Sequence, residues 1–529
     1  MAAHLTIPLA PWLLLFVPLL LLLLRVVSRG TDKSRRQLKR LPASPRGLPV
    51  IGHLHLIGDL PHVSLRDLAA KHDHTNGLML VRLGTVPNLI VSTPHAAQAV
   101  LRTHDHIFAS RPPSTIVDDL QYGPSSNFGA APYGEHWRQV RKLVTTHLLT
   151  TKKVNSYHLA RQEEVCLVMA KLRNAAAVGM EVDISEMVNT FTNDVVCRAV
   201  SGKFFRVEGR NKLFRELIEV NSVLSAGFCL ENYFPGRLAM LLGMFTRFMR
   251  NKAAVAHKRW DELLENIICD HERRRFKHSA ESAEQEQSAD FIDVMLSVQE
   301  GYGITRDNIK AILMDIFDAG TNTSALVLEF AMVELMCNPN LRTKLQDEVR
   351  KKTPKGQELV NEENLASMSY LRAVVKETLR LHPPAPLLLP HQSMADCEID
   401  GYTIPSGTRV IINSWAINRD PESWEKADEF IPERFTDGGS AAAIDFKGNN
   451  FQFIPFGAGR RMCPGLNFGL ASVEIMLANL MYCFDWNLPT GVDKQDIDMT
   501  EVFGLTVHRK EKLVLVPKLH DTVPSGHVI

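Results

Sequence analysis

Cysteine is sparse in this chain, eight residues in 529, and no two stand in a C-x-x-C pair. That usage excludes a disulfide framework and suits a reducing compartment. An excess of charge of one sign is missing too. Sixty Lys and Arg face 59 Asp and Glu, and a net charge of +1 argues against a nucleic-acid partner. There is no Walker loop and no G-x-S-x-G elbow. Gly457 and Gly459 are followed by Arg460, Arg461 and Met462, so the third glycine of a dinucleotide fingerprint is absent. With no recognisable site for its own nicotinamide or flavin, the chain must take any electrons it uses from another protein. No Gly/Ser/Pro-rich linker divides the body and no internal repeat is evident. At 45% hydrophobic and 22% charged residues, one large domain with a large core is expected.

Basic residues are also lacking before the first apolar run, since Met1 to Thr6 holds no Lys or Arg. Ile7 to Val27 is almost wholly apolar, enough at about 1.5 Å per residue to cross a bilayer core of about 30 Å. A cleaved signal peptide would show a basic start and a small-residue cleavage site. Here Arg25, Arg29, Lys33, Arg35, Arg36, Lys39 and Arg40 crowd the far side, which keeps that flank cytosolic. The pattern predicts a transmembrane signal anchor over 1–28 and a basic, proline-rich hinge over 29–50. The segment Leu41 to Pro49 reads as a stiff spacer. The catalytic body would run over 51–529, with a disordered loop at His278 to Ser288.

What the chain does hold is the run Phe456-Gly457-Ala458-Gly459-Arg460-Arg461-Met462-Cys463-Pro464-Gly465, opening an apolar helical stretch from Leu466 to Leu480. A lone cysteine is ordinarily a buried structural residue. At a helix start, however, unpaired N–H groups favour a thiolate, and Arg461 would add a full charge. Zinc is excluded, because no other Cys or His lies within ten residues of Cys463. A thiolate is one known way of holding haem iron. Phe456, Gly459, Arg461, Cys463 and Gly465 fit F-x-x-G-x-R-x-C-x-G, which resembles the haem-binding loop of the cytochrome P-450 superfamily. The resemblance implies a mainly α fold with small β-sheets, haem b as cofactor and Cys463 as its metal ligand.

Thr305 to Met336 reads as one helix of roughly 48 Å, stopped before Pro339. Its middle, Ala319-Gly320-Thr321-Asn322-Thr323-Ser324, is poor helix chemistry. It could be a tolerated Gly/Thr patch. It also resembles the family's oxygen-activation segment, which makes Thr323 a catalytic residue and places Ala319 and Gly320 in the substrate pocket. Asn322 departs from the pattern, since the family usually has an acid there and an amide cannot release a proton. Asp318, four residues earlier, is one candidate to replace it, and water ordered by Thr323 and Asn322 is the other.

The resemblance implies further roles, residue by residue. Glu377, Arg380 and Arg434 would form a structural network behind the cysteine loop, where spacing alone reads Glu377 and Arg380 as a surface bridge. Trp137, Arg141, His391 and Arg461 would hold the haem propionates, with Phe456 beside the ring. Leu387, Phe503 and Leu505 would line the pocket. Electrons would come from NADPH through NADPH–cytochrome P-450 reductase, steered by Arg138, Lys142 and Arg460. The anchor and hinge point to plant enzymes of the endoplasmic reticulum membrane, with the catalytic domain cytosolic and in contact with membrane lipid. Ile51 to Gly58 and Asp498 to Thr506 are similar to the grass monooxygenases of benzoxazinoid biosynthesis, which oxidise indole, indolin-2-one and related lactams. A small hydrophobic substrate is therefore expected. A monooxygenase of another plant specialised metabolite, terpenoid or phenylpropanoid, a reductase-independent isomerase or dehydratase and a non-catalytic haem carrier are the other readings, and an intact Thr323 weighs against the last two.

Overall fold

A computed structural model of the chain describes residues 41–72, 76–123, 126–226, 232–234, 237–277 and 289–521. The anchor expected over 1–28, the hinge up to residue 40 and the segment His278–Ser288 lie outside the described residues.

Eight helices matter to the site. They are α1 (Pro61–His72), α2 (Glu135–Leu143), α3 (Ile184–Ser201), α4 (Arg210–Ala226), α5 (Arg237–Lys277), α6 (Arg306–Cys337), α7 (Ser369–Leu381) and α8 (Leu466–Cys483). The central one, α6, starts on a reciprocal cap. The Asn308 N–H donates to Thr305 Oγ1 at 3.2 Å and the Thr305 N–H donates to Asn308 Oδ1 at 3.0 Å. It ends at Asn338, because Pro339 lacks the N–H needed to continue. Buried side chains run right round α6, as expected of a helix packed on all sides. Both α6 and α8 are long and apolar enough to cross a membrane, yet 72% of each apolar window is buried inside the protein, so they are core helices.

Small residues set how closely α6 packs. A Cβ on Gly320 would lie 2.9 Å from Val196 Cγ2, so the glycine lets α3 approach. A Cβ on Gly469 would lie 3.4 Å from Ser324 Oγ, where α8 meets α6. On another side, Phe317 stacks on Phe214 of α4 at 4.0 Å, and Trp260 of α5 sits 5.8 Å from both rings.

The largest sheet has four strands, β1 (Leu78–Leu83), β2 (Val86–Val91), β3 (His391–Gln392) and β4 (Arg409–Ile412), in the order β1-β2-β4-β3. β2 and β4 are parallel, from Asn88 opposite Arg409 to Val91 opposite Ile412. Their side chains alternate between two apolar clusters. Leu89, Val91, Val410 and Ile412 face Ile454 and Ala458 beside the cysteine loop, whereas Ile90 and Ile411 face Leu65 and Ala69 of α1. The sheet thus ties α1 to the loop. Leu41 to Pro49 is not a free spacer: the Leu80 N–H donates to Ala43 O at 2.9 Å and His53 Nε2 donates to Pro45 O at 2.8 Å. These contacts claim backbone carbonyls that a solvated linker would give to water.

Candidate active site

The cysteine loop folds back on itself, with the Cys463 N–H donating to Phe456 O at 2.9 Å. Gly459 sits at φ +67°, and a Cβ there would lie 2.3 Å from Leu101 O, so a side chain is excluded twice over. Two residues after Cys463, Gly465 caps α8. Cys463 is exposed, yet burial is the main influence on its thiol, so its free surface faces a hollow within the protein. Burial pushes its thiol pKa up, while the Gly465 N–H, the Arg141 charge and the Leu466 N–H pull it back. The charge beside the sulfur is therefore Arg141, which donates to Met462 O, and not Arg461 as the sequence suggests. Arg461 points away, donating to Ala109 O at 2.7 Å, Phe128 O at 3.3 Å and Ala131 O at 2.6 Å. Phe456 packs edge-on to Phe446 at 5.6 Å.

A buried cluster of cations surrounds this loop. Arg461 lies over the Trp137 ring at 4.1 Å, and Trp137 Nε1 donates to Phe128 O at 3.0 Å. His391, 4% exposed on β3, bonds through Nδ1 to Phe108 O at 2.8 Å. A fifth donor, Arg111, escaped the sequence reading. It is 8% exposed and donates to Gly129 O at 3.2 Å, Leu389 O at 2.7 Å and Pro390 O at 2.9 Å. Its partners lie up to 279 residues away, so nothing local in Ser110-Arg111-Pro112 marks it as buried. Arg111, Arg141 and Arg461 have no ion-pair partner among the described residues. Burial first, then mutual repulsion, brings Arg111 and Arg461 down to about 9, and His391 falls well below its ordinary value for the same reasons. Buried cations that bond to carbonyls alone leave room for an anion.

α6 closes the other side. Thr323 Oγ1 donates to Ala319 O at 2.6 Å, and α6 stays α-helical through this turn rather than opening. Ala319 is exposed and Asp318 and Thr323 are half-buried, although Phe317 and Thr321 beside them are fully buried, so the hollow lies on this face. Gly320, expected in the pocket, instead turns its missing side chain to Val196. Asn322 is buried. Asp318 does not reach for Thr323 as a proton relay would require. Asn221 Nδ2 of α4 donates to both its oxygens at 3.0 Å, and Trp260 Nε1 donates to Asn221 Oδ1 at 3.1 Å. Asp315, one turn earlier and also unforeseen, accepts from the Phe128 and Gly129 N–H groups at 2.9 Å each and from Gln121 Nε2 at 3.1 Å. It thereby holds the turn whose carbonyls take Trp137, Arg461 and Arg111. Elsewhere, Phe503 lies 6.3 Å from the His62 ring, Leu387 packs with the α1 cluster and Leu505 is 41% exposed.

Burial raises the Asp318 pKa to about 8, against the Asn221 bond that lowers it. The unfolded chain ionises this group near 3.8, so its burial cost grows between those two values, by up to about 1.4 kcal/mol per pH unit. Asp318→Asn should therefore raise the thermal midpoint, and by more at pH 8 than at pH 5.

Behind the loop, Glu377 is wholly buried. It accepts from Arg380 Nε at 2.7 Å and Nη2 at 2.8 Å, from the Ile431 N–H at 2.8 Å and from Arg434 Nε at 3.4 Å. Arg380 reaches on to Asn418 O and Ala427 O and lies 5.2 Å from the Trp424 ring, and Trp424 Nε1 donates to Gln452 O at 3.2 Å, just before the loop. Outside it, the expected cationic patch is partly neutralised. Arg138 pairs with Glu135, and Arg460 pairs with Asp105 at 3.2 Å, while Lys142 is exposed.

This arrangement of cysteine loop, long helix and small sheet has counterparts. The model of the cytochrome P-450 family matches residues 42–516. The chain belongs to the cytochrome P-450 family. It is 51% identical over 520 residues to a Zea mays indole-2-monooxygenase, covering 96% of this chain and 95% of that one. It is 52% identical, with the same coverage, to a Zea mays indolin-2-one monooxygenase. A zebra fish cytochrome P-450 solved with progesterone superposes with a TM-score of 0.71 over 87% of this chain and 99% of that one, at 22% identity, a likeness of fold. This P-450 is accordingly a monooxygenase with haem iron as its cofactor.

Proposed function

We propose that this P-450 inserts one oxygen atom from O2 into a small bicyclic substrate of the indole or indolin-2-one class, in plant defence metabolism of the benzoxazinoid type. The observation that carries this reading is identity above 50% along nearly the whole chain with two maize enzymes named for those substrates. The donor set suits haem: a thiol for the iron, and unpaired cations for its two carboxylates. Cys463 would hold the iron, and Arg111, Trp137, Arg141, His391 and Arg461 would hold the propionates. Haem supplies reductive O2 activation, in which two electrons and two protons send one oxygen to product and the other to water.

This chain's residues do the rest. Arg141 and the α8 amides stabilise the thiolate once the metal has displaced its proton. Thr323 holds a water at its hydroxyl and passes protons through it, since Asn322 has none to release and Asp318 is engaged by Asn221. Apolar residues of α6 and the segment near Leu387 keep bulk water out. The electrons come from NADPH through NADPH–cytochrome P-450 reductase. Ile7 to Val27 anchors the enzyme in the endoplasmic reticulum membrane with its body in the cytosol.

The test is a panel of indole, indolin-2-one, a terpenoid and a phenylpropanoid, read by the substrate-induced shift of the haem Soret band. With reductase and NADPH, a bound indole-class compound should gain one atom of label from oxygen-18 gas. Thr323→Ala should bind it equally and lose on the order of 10²-fold in product formed, with electrons diverted to peroxide. A shift from the terpenoid or phenylpropanoid alone would refute the substrate class. Conversion without NADPH would make the enzyme an isomerase or dehydratase.

A further inference from the structure

Half-buried Asp318 and the buried Asn221 and Trp260 form a polar chain from three helices beside the Phe214–Phe317 stack. An indole N–H can donate and never accept. Trp260 Nε1 therefore fixes which way the Asn221 amide faces: Oδ1 toward the indole and Nδ2 toward Asp318, as the 3.1 Å and two 3.0 Å distances record. Asn221 is 1% exposed and Trp260 wholly buried, so neither has room to turn. Asp318 consequently meets a donor on its protein side, and its half-buried carboxyl, next to exposed Ala319, has lone pairs beyond those that Asn221 uses. A carboxyl inside an apolar core costs stability, and no cation offsets this one among the described residues.

We propose that Asp318 is a specificity-determining residue, accepting a hydrogen bond from the ring N–H of the bicyclic substrate. The proposal rests on the indole-class reading given above and adds the atom that is recognised. Phe317, next to Asp318, and Phe214, stacked on it, make this corner of the core apolar and flat. With the carboxyl already pinned, the substrate meets an acceptor that needs no reorientation.

The fixed amide polarity gives a sharp test. In Asp318→Asn the new amide must give its single oxygen to Asn221 Nδ2, so it turns its own NH2 toward the hollow. Recognition then inverts. Dissociation constants would be measured by Soret shift for indolin-2-one and 1-methylindolin-2-one, on wild type, Asp318→Asn and Asp318→Leu, each checked for intact haem by its carbon monoxide spectrum. Wild type should prefer the N–H compound by about 10-fold or more. Asp318→Leu should bring the ratio to within about 3-fold, and Asp318→Asn should favour the N-methyl compound. If the preference for N–H survives unchanged in both variants, Asp318 does not read that atom. If wild type binds neither compound although its haem is intact, the substrate class itself has failed.

Discussion

Cys463→His should abolish the red-shifted Soret band of the reduced carbon monoxide complex and reduce product formation to background. The reason lies in the electronics of the proximal side. A thiolate pushes electron density toward O–O cleavage, whereas a neutral imidazole does not. The loop that presents Cys463 is also tightly packed, since Gly459 leaves no space for a side chain against Leu101 O. A bulkier ring at 463 has to displace this packing. Cys483→Ser is the control. Cys483 is buried at the end of α8 with its thiol pushed up to about 12 by burial, which marks an inert structural thiol. It should leave both the band and turnover unchanged. A Cys463→Ser protein with an unaltered band would overturn the assignment of the iron ligand.

The second large effect is expected at Glu377→Ala. Glu377 and Arg380 are both 0% exposed, and one carboxylate answers two guanidinium groups and a backbone N–H. Deleting it leaves Arg380 and Arg434 charged and unpaired in the core, a cost of about 3–5 kcal/mol. Proteins of ordinary stability have roughly 5–15 kcal/mol in all. The variant should therefore accumulate poorly, and the fraction recovered should carry little haem, because Arg380 and Trp424 brace the approach to the cysteine loop. Arg380→Lys should fail nearly as badly, since an ammonium cannot reproduce the two-pronged contact. Urea unfolding followed by tryptophan emission would measure it. A midpoint for Glu377→Ala equal to wild type would show that the network does not brace the fold.

The sequence made the loop legible because its determinants are local. Glycine at positive φ, a cysteine ahead of a helix start and an apolar helix after it all sit within a few residues. The bounds of α6 were readable for the same reason: Thr305, expected as its first residue, is its N-cap, and the helix begins one residue later at Arg306. Distant pairings were not readable. Arg111 looks like a solvated loop charge until Leu389 and Pro390 arrive from far along the chain. Asp315 looks like one more polar residue on a long helix until the Phe128–Gly129 turn docks on it. Arg461 shows a limit of adjacency: its place beside Cys463 in sequence suggested a charge at the sulfur, and the backbone turn sends its side chain to the carbonyls of Ala109, Phe128 and Ala131. Gly320 shows a similar limit, since a glycine admits either a ligand or a neighbouring helix, and Val196 decides it.

The cluster of Arg111, Arg141 and Arg461 has a consequence for how this protein is made. Three like charges held close, under cover and facing carbonyls alone oppose the closing of the very core that holds them. An anion arriving among them removes that opposition, so cofactor capture and the final tightening of the chain become one event, linked by mass action. A cell short of haem would then hold this polypeptide as a loose, protease-sensitive precursor, and the amount of mature enzyme would follow haem supply as much as synthesis of the chain.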